Sequence, residues 1–107
     1  MTAPAPLRVF LVDDEQPARA RMREVLGDLA AELPNVVVGE AATGQEALGT
    51  LPAAAPDVVL VDIHMPQMSG MEFARHLAIL DAPPAVVFVT AHDQYAIEAF
   101  EVNALDY

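Results

Sequence analysis

Apolar and polar positions along the chain fall into blocks of two kinds. Short, nearly continuous apolar runs occur at Leu7–Val12 (LRVFLV), Val36–Ala41, Val58–Asp62 (VVLVD) and Ala85–Thr90 (AVVFVT). Runs of four to six such residues bounded by Asp, Pro or Gly read as strands. Between them the apolar positions change to a spacing of three and four. From Gln16 to Leu33 the residues Met22, Val25, Leu26, Leu29 and Leu33 share one helical face, Pro17 sits where a first turn tolerates it, and Pro34-Asn35 closes the helix. Of this stripe, Met22, Val25, Leu26 and Leu29 are expected to be core. Thr43-Gly44-Gln45-Glu46 and Ser69-Gly70-Met71-Glu72 are capping boxes. The first opens a short helix to about Leu51, followed by an Ala/Pro linker at Pro52–Pro56. The second opens a helix to about Leu80, which Pro83-Pro84 separates from the next strand. Asp93–Glu101 is a fourth helix, and Leu105–Tyr107 begins a fifth strand.

The order is strand then helix, four times over. Strands 1, 3 and 4 are apolar on both faces, the mark of parallel strands covered by helices above and below. The fold class is therefore α/β, a doubly wound parallel sheet. A length of 107 residues suits one domain, and 54% hydrophobic against 20% charged residues gives it a core and argues against disorder. With no cysteine, disulfides and thiolate zinc sites are excluded. No apolar run approaches the roughly 20 residues of a membrane span. Met1–Pro6 lacks the basic and apolar regions of a signal peptide, so a cytoplasmic location is expected. The net charge is -11, and all basic residues are arginine. Such a surface repels phosphate backbones and attracts divalent cations and basic protein partners, so direct nucleic-acid binding by this segment is not expected.

The acids are placed unevenly. Asp13 and Asp14 end the first strand, with Glu15 after them, and Asp62 ends the third. In a doubly wound sheet of order 2-1-3-4-5, strands 1 and 3 are neighbours and their carboxyl ends flank the crevice where ligands bind. Carboxylates brought that close repel one another, and a hard cation such as Mg²⁺ relieves the repulsion while keeping positions open for a phosphate oxygen. Asp62 could then attack phosphorus as a nucleophile. Thr90, ending the fourth strand at the same rim, could donate a hydrogen bond to a phosphoryl oxygen. Each residue also has a plainer reading. The Asp13-Asp14 pair suits a solvated turn or helix cap, Thr90 a strand-end hydroxyl, and Glu15 and His76 the surface. His64 and His92 follow Asp62 and Thr90 by two residues, and their side chains are poor candidates for a metal that has oxygen ligands nearby.

LVDDE at 11–15, VDIHMPQMSG at 61–70 and VTA at 89–91 resemble, in order and spacing, the receiver domain of bacterial two-component response regulators. The resemblance runs from about Leu7 to Tyr107. It implies the flavodoxin-like order 2-1-3-4-5, with Asp62 as phosphoacceptor for a sensor histidine kinase. It further implies Mg²⁺ bound by Asp14, Asp62 and the backbone carbonyl of His64, with Asp13 acting through water. Thr90 would contact the phosphoryl group, and Tyr107 would be the aromatic that changes rotamer as Thr90 moves. His64 and His92 occupy positions that tune the lifetime of the phosphoryl group. AHDQYAIEAFEVNALDY at 91–107 is similar to the LytTR (LytR/AlgR) type, whose receivers precede a DNA-binding domain. A homodimer through the fourth-helix region, where Tyr95 and Phe100 lie, is the implied output. Such a domain is a relay, with only weak self-catalysed phosphotransfer and autodephosphorylation.

One departure concerns a lysine that the family carries about three residues past the position of Tyr107. The chain stops first and has no lysine. The sequence therefore reads as a receiver domain, 1–107, truncated within the fifth strand and without the family's last helix or output domain. A sheet face left bare in this way would make the domain poorly stable alone or bury it against a second copy. Two competing readings remain open from sequence: a phosphorylation-independent interaction module with the same fold, and a phosphohydrolase with an aspartate nucleophile. The latter usually needs a second acid two residues on, where His64 stands.

Overall fold

The computed structural model describes residues 5–89 of the chain. It contains β1 (Leu7–Val12), α1 (Gln16–Leu29), β2 (Asn35–Ala41), α2 (Gly44–Ala54), β3 (Val58–Val61), α3 (Gly70–Ala78) and β4 (Ala85–Phe88). The strands form one sheet of order β2-β1-β3-β4, parallel throughout. This is the flavodoxin-like arrangement expected from the sequence. The positions expected to form a fourth helix and a fifth strand, with Thr90, His92, Tyr95, Phe100 and Tyr107, lie outside the described residues.

Because side chains alternate across a strand, each apolar run feeds two cores. Phe10, Val12, Val59, Val61, Val86 and Phe88 point to one face, where α2 and α3 cover them with Ala47, Leu51, Phe73 and Leu77. Val9 and Leu11 point to the other, where Met22 of α1 meets them with Leu26, Val37, Val58 and Leu60 at the margin. The two faces are unequal, and this corrects the reading of the α1 stripe as core. Met22 is buried, but Val25 and Leu29 are 50% and 40% exposed. Val25 and Leu29 instead line an open groove with Leu60, Val87 and Val89. Among the described residues, α1 is the one helix on that face.

Three helix ends differ from the sequence reading. α1 stops at Leu29 rather than Leu33, the chain continuing as a turn in which Glu32 N–H and Leu33 N–H both donate to the Leu29 carbonyl (3.0 and 2.7 Å). Asn35 then caps the exit: its Nδ2 donates to the carbonyls of Leu26 and Leu33, both at 2.9 Å. α2 runs through Pro52 to Ala54, so part of the expected linker is helical. A proline this near the end removes one ladder donor, and the helix still closes through Ala55 N–H on Leu51 O (2.9 Å). Arg8 secures the same end, donating from Nε to Ala55 O (3.1 Å) and from Nη2 to Ala54 O (2.5 Å). α3 ends at Ala78, two residues short of the expected Leu80, and Ile79 and Leu80 are exposed. Both capping hydroxyls act as expected: Thr43 Oγ1 accepts from Glu46 N–H (3.0 Å), and Ser69 Oγ accepts from Glu72 N–H (3.2 Å).

β1 and β2 slip register between Val9 and Phe10, where Val9 pairs with Val37 but Phe10 with Gly39. The glycine is needed there. A Cβ on Gly39 would lie 2.6 Å from the Phe10 ring, so Phe10 can cross the sheet at this point only over a bare backbone.

Candidate metal and phosphoacceptor site

The site is built from the last backbone bonds of the sheet. Asp13 N–H donates to Ala41 O (3.1 Å), Asp62 N–H to Val12 O (3.0 Å) and Val89 N–H to Val61 O (3.0 Å). The parallel ladder thus runs one residue past β1, β3 and β4 and delivers Asp13 and Asp62 side by side at the carboxyl edge. Beyond that residue each chain turns, and the acid itself organises the turn. Asp13 Oδ1 accepts from Glu15 N–H (2.9 Å), and Asp62 Oδ1 accepts from His64 N–H (3.2 Å). Aspartate is well suited to such a position because its short carboxylate reaches the amide two residues on.

The outcome is a group of three. One carboxylate oxygen from each of Asp13, Asp14 and Asp62 lies within 4.8 Å of the other two. Asp13 is 5% exposed, Asp62 half-buried and Asp14 exposed. Burial pushes the Asp13 carboxyl up, and the charges of Asp62, Asp14 and Glu15 add to it against the bond from Glu15 N–H. Burial likewise pushes Asp62 up, with the charges of Asp14 and Glu15 adding, against the bond from His64 N–H and the charge of His64. The fold therefore gathers negative charge where water is partly excluded, and two acids resist ionising. The oxygens of a small octahedral cation sit about 2.1 Å from it, which sets opposite ligands about 4.2 Å apart. Adjacent ligands of that ion would stand about 3 Å apart, so oxygens within 4.8 Å of one another suit a cation held by some of them directly and by others through water.

The loop after Asp62 is anchored. Ile63 and Met65 are buried in the α2–α3 core, 3% and 8% exposed, and Met68 N–H donates to Pro66 O (2.8 Å). Gln67 takes a φ of 70°, in the left-handed region. Gly70 N–H then donates to Ile63 O (2.8 Å), bringing the start of α3 onto the backbone next to Asp62. Of the sequence-predicted site residues, Asp13, Asp14 and Asp62 are brought together, His64 lies in the adjoining turn, and Thr90 and Tyr107 fall outside the described residues. Glu15 and His76 are exposed, as their surface reading expected.

One member of this edge was not read from the sequence. Arg19 on α1 donates from Nη1 to the backbone carbonyl of Asp13 (2.7 Å) and from Nε to Glu40 Oε1 (2.7 Å). Glu40 Oε2 accepts from Arg23 Nε (2.7 Å). The bonds from Arg19 and then Arg23 hold the Glu40 carboxyl below its ordinary range. The available signal was a lone acid near the end of the second strand beside a helix bearing arginines four apart.

Among the described residues no helix is long and apolar enough to cross a membrane. A chain with this sheet order and three acids at its carboxyl edge falls in the class of α/β signalling receivers. The response regulator receiver domain family model matches residues 9–107, and the chain belongs to that family of two-component systems. It is 44% identical over 101 residues to the positive alginate biosynthesis regulatory protein of Pseudomonas aeruginosa, and 44% identical over 101 residues to the sensory transduction protein LytT of Bacillus cereus. In each case 94% of this chain is matched, and it spans 40% of the relative's length. Among solved structures, the signal receiver domain of the putative response regulator NarL from Mycobacterium tuberculosis superposes with a TM-score of 0.83 at 33% identity, over 96% of this chain and 82% of that one. The response regulatory domain of mrkE from Klebsiella pneumoniae gives 0.83 at 29% identity, over 94% and 80%. The LytTR-type resemblance read at 91–107 agrees with the relatives, LytT among them.

Proposed function

We propose that Asp62 is the phosphoacceptor of this receiver, charged by a sensor histidine kinase in the presence of Mg²⁺. The observation that carries the reading is the convergence of the Asp13, Asp14 and Asp62 oxygens within 4.8 Å at the tips of β1 and β3. Asp14 and Asp62, with the His64 carbonyl, would hold the cation, and Asp13 would assist through water. Bound there, Mg²⁺ would offset the charge of the carboxylates and of an incoming phosphoryl group. Asp62 keeps one oxygen engaged by His64 N–H, which leaves the other to attack phosphorus. A P–O bond forms on Asp62 as the P–N bond of the donor phosphohistidine breaks, and the electron pair leaves with the imidazole.

The domain is a relay rather than an enzyme of substrate turnover, its own phosphotransfer and autodephosphorylation being weak. Thr90 would bind the phosphoryl group, and Tyr107 would pass its movement to the fourth-helix region, where two copies pair. Residues 1–107 act as a receiver unit, and the output in a longer protein is altered transcription through a following DNA-binding domain. The acidic surface itself does not bind nucleic acid, and the setting is the cytoplasm.

Incubation with acetyl phosphate and Mg²⁺ tests the central step. Intact-mass spectrometry should show one added phosphoryl group, mapped to Asp62, lost on treatment with hydroxylamine and absent after chelation or in Asp62→Asn. Labelling that survives Asp62→Asn would assign the chemistry elsewhere.

A further inference from the structure

We propose that Arg19 is a positioning residue for the cation site, a role that rests on the reading of Asp13, Asp14 and Asp62 as that site. Its contacts are divided in an informative way. Nε is spent on Glu40, an acid on β2, while Nη1 reaches across to the carbonyl of Asp13, six residues back in the β1–α1 turn. The Asp13 carbonyl belongs to the peptide unit that joins Asp13 to Asp14. Holding it fixes the plane from which the Asp14 side chain departs.

Asp14 needs such help. Asp13 is tied at three points: its N–H to Ala41 O, its Oδ1 to Glu15 N–H and its carbonyl to Arg19. Asp62 is tied by its N–H and its Oδ1. The Asp14 carboxylate is exposed and has no hydrogen-bond partner among the described residues. Its direction is set by backbone alone, held by Arg19 on the peptide unit before Asp14 and by Asp13 Oδ1 on the one after. Arg19 is itself held, 16% exposed at its side chain, by a carboxylate that is in turn shared with Arg23. A guanidinium suits the task because its planar fork serves two acceptors in different directions at once, which an ammonium cannot do with the same rigidity. The chain Glu40–Arg19–Asp13 therefore links α1 and β2 to the acidic edge, as outer partners orient the ligands of metal sites generally.

The test sets cation affinity against stability in three variants. Arg19→Met removes both bonds. Arg23→Met loosens Glu40 but leaves the Asp13 carbonyl bond, and Arg19→Lys keeps the charge on one nitrogen but loses the planar fork. Mg²⁺ dissociation constants would be read from the amide shifts of Asp13, Asp14 and Asp62, and melting temperatures from the same samples. Arg19→Met should weaken Mg²⁺ binding about tenfold or more, within the range seen for outer partners of metal ligands. Arg19→Lys should fall between it and the parent, and Arg23→Met should bind as the parent does while losing stability. If Arg19→Met does not fold, Arg19→Lys carries the comparison. Equal Mg²⁺ affinity in the parent and the Arg19 variants would overturn the proposal while leaving the site intact. A parent that shows no saturable Mg²⁺ response at these amides would overturn the site reading and this role with it.

Discussion

Asp13→Asn should make the cation-free domain more stable while weakening its hold on Mg²⁺ about 10- to 100-fold. Asparagine keeps the Oδ1 that accepts from Glu15 N–H, so the turn survives. What it removes is a buried charge, 5% exposed, facing two others with oxygens within 4.8 Å. Two unit charges at that separation repel by about 3 kcal/mol at an effective dielectric of about 20, and solvent at Asp14 reduces this. A net relief of about 1 kcal/mol would raise the melting temperature by about 4–8 °C in a domain of this size. The pH dependence has a definite sign. Asp13 and Asp62 have raised values in the fold, so the stability they contribute is complete below the ordinary carboxylate value of about 4 and is lost as pH rises through the raised values. Glu40 runs the other way: its value is lowered, and its contribution is lost as pH falls through that lower range. The parent should therefore melt at lower temperature as pH climbs through the window just above the ordinary carboxylate range. Mg²⁺ should reverse the loss, and Asp13→Asn should flatten it. Thermal melts across pH with and without Mg²⁺ check all of this, and a variant less stable than the parent at neutral pH would refute the electrostatic premise.

Gly70→Ala should be among the most damaging small substitutions in the domain. A Cβ there would lie 2.3 Å from the Asp62 carbonyl oxygen, 2.8 Å from Ile63 Cα and 3.0 Å from the Asp62 carbonyl carbon. All three are backbone atoms, so no side chain can swing aside. Overpacking of a close contact costs about 1–3 kcal/mol, and this contact bears on Asp62's own peptide unit. The melting temperature should fall by about 4–8 °C for each kcal/mol, and phosphoryl labelling of Asp62 should fall with it. Gly49→Ala is the internal control. Gly49 lies within α2 with nothing within 4 Å of its Cβ position, so alanine there should stabilise by about 0.5–1 kcal/mol. Equal melting temperatures for the two variants would show that the close approach at Gly70 is not a constraint.

The acidic pair and Asp62 were legible because they stand at the ends of apolar runs, and a parallel sheet carries strand ends to one edge. The strands were legible for the same reason: Val9 to Val12 and Val58 to Val61 are apolar on both faces, and only a covered sheet uses such runs. The capping boxes at Thr43 and Ser69 fixed two helix starts through a local bond, which four residues suffice to specify. Helix ends were less legible. α1 closes through Asn35, whose amide reaches back nine residues to Leu26 O, and α2 passes Pro52 because one missing donor near a helix end costs little. The fate of Val25 and Leu29 was misread because a spacing of three and four identifies a shared face, not what lies opposite it. Arg19 was missed because its partners, Glu40 and the carbonyl of Asp13, are chosen by the packing of α1 on the sheet. A backbone carbonyl leaves no trace in a residue code.

The most direct measurement is a Mg²⁺ titration of the isotopically labelled domain followed by NMR. Saturable shifts should converge on the amides of Asp13, Asp14, Asp62 and His64, and Asp62→Asn should abolish them. Shifts spread over the acidic surface without saturation, or a saturable site away from the tips of β1 and β3, would contradict the proposal that these three carboxylates share one cation.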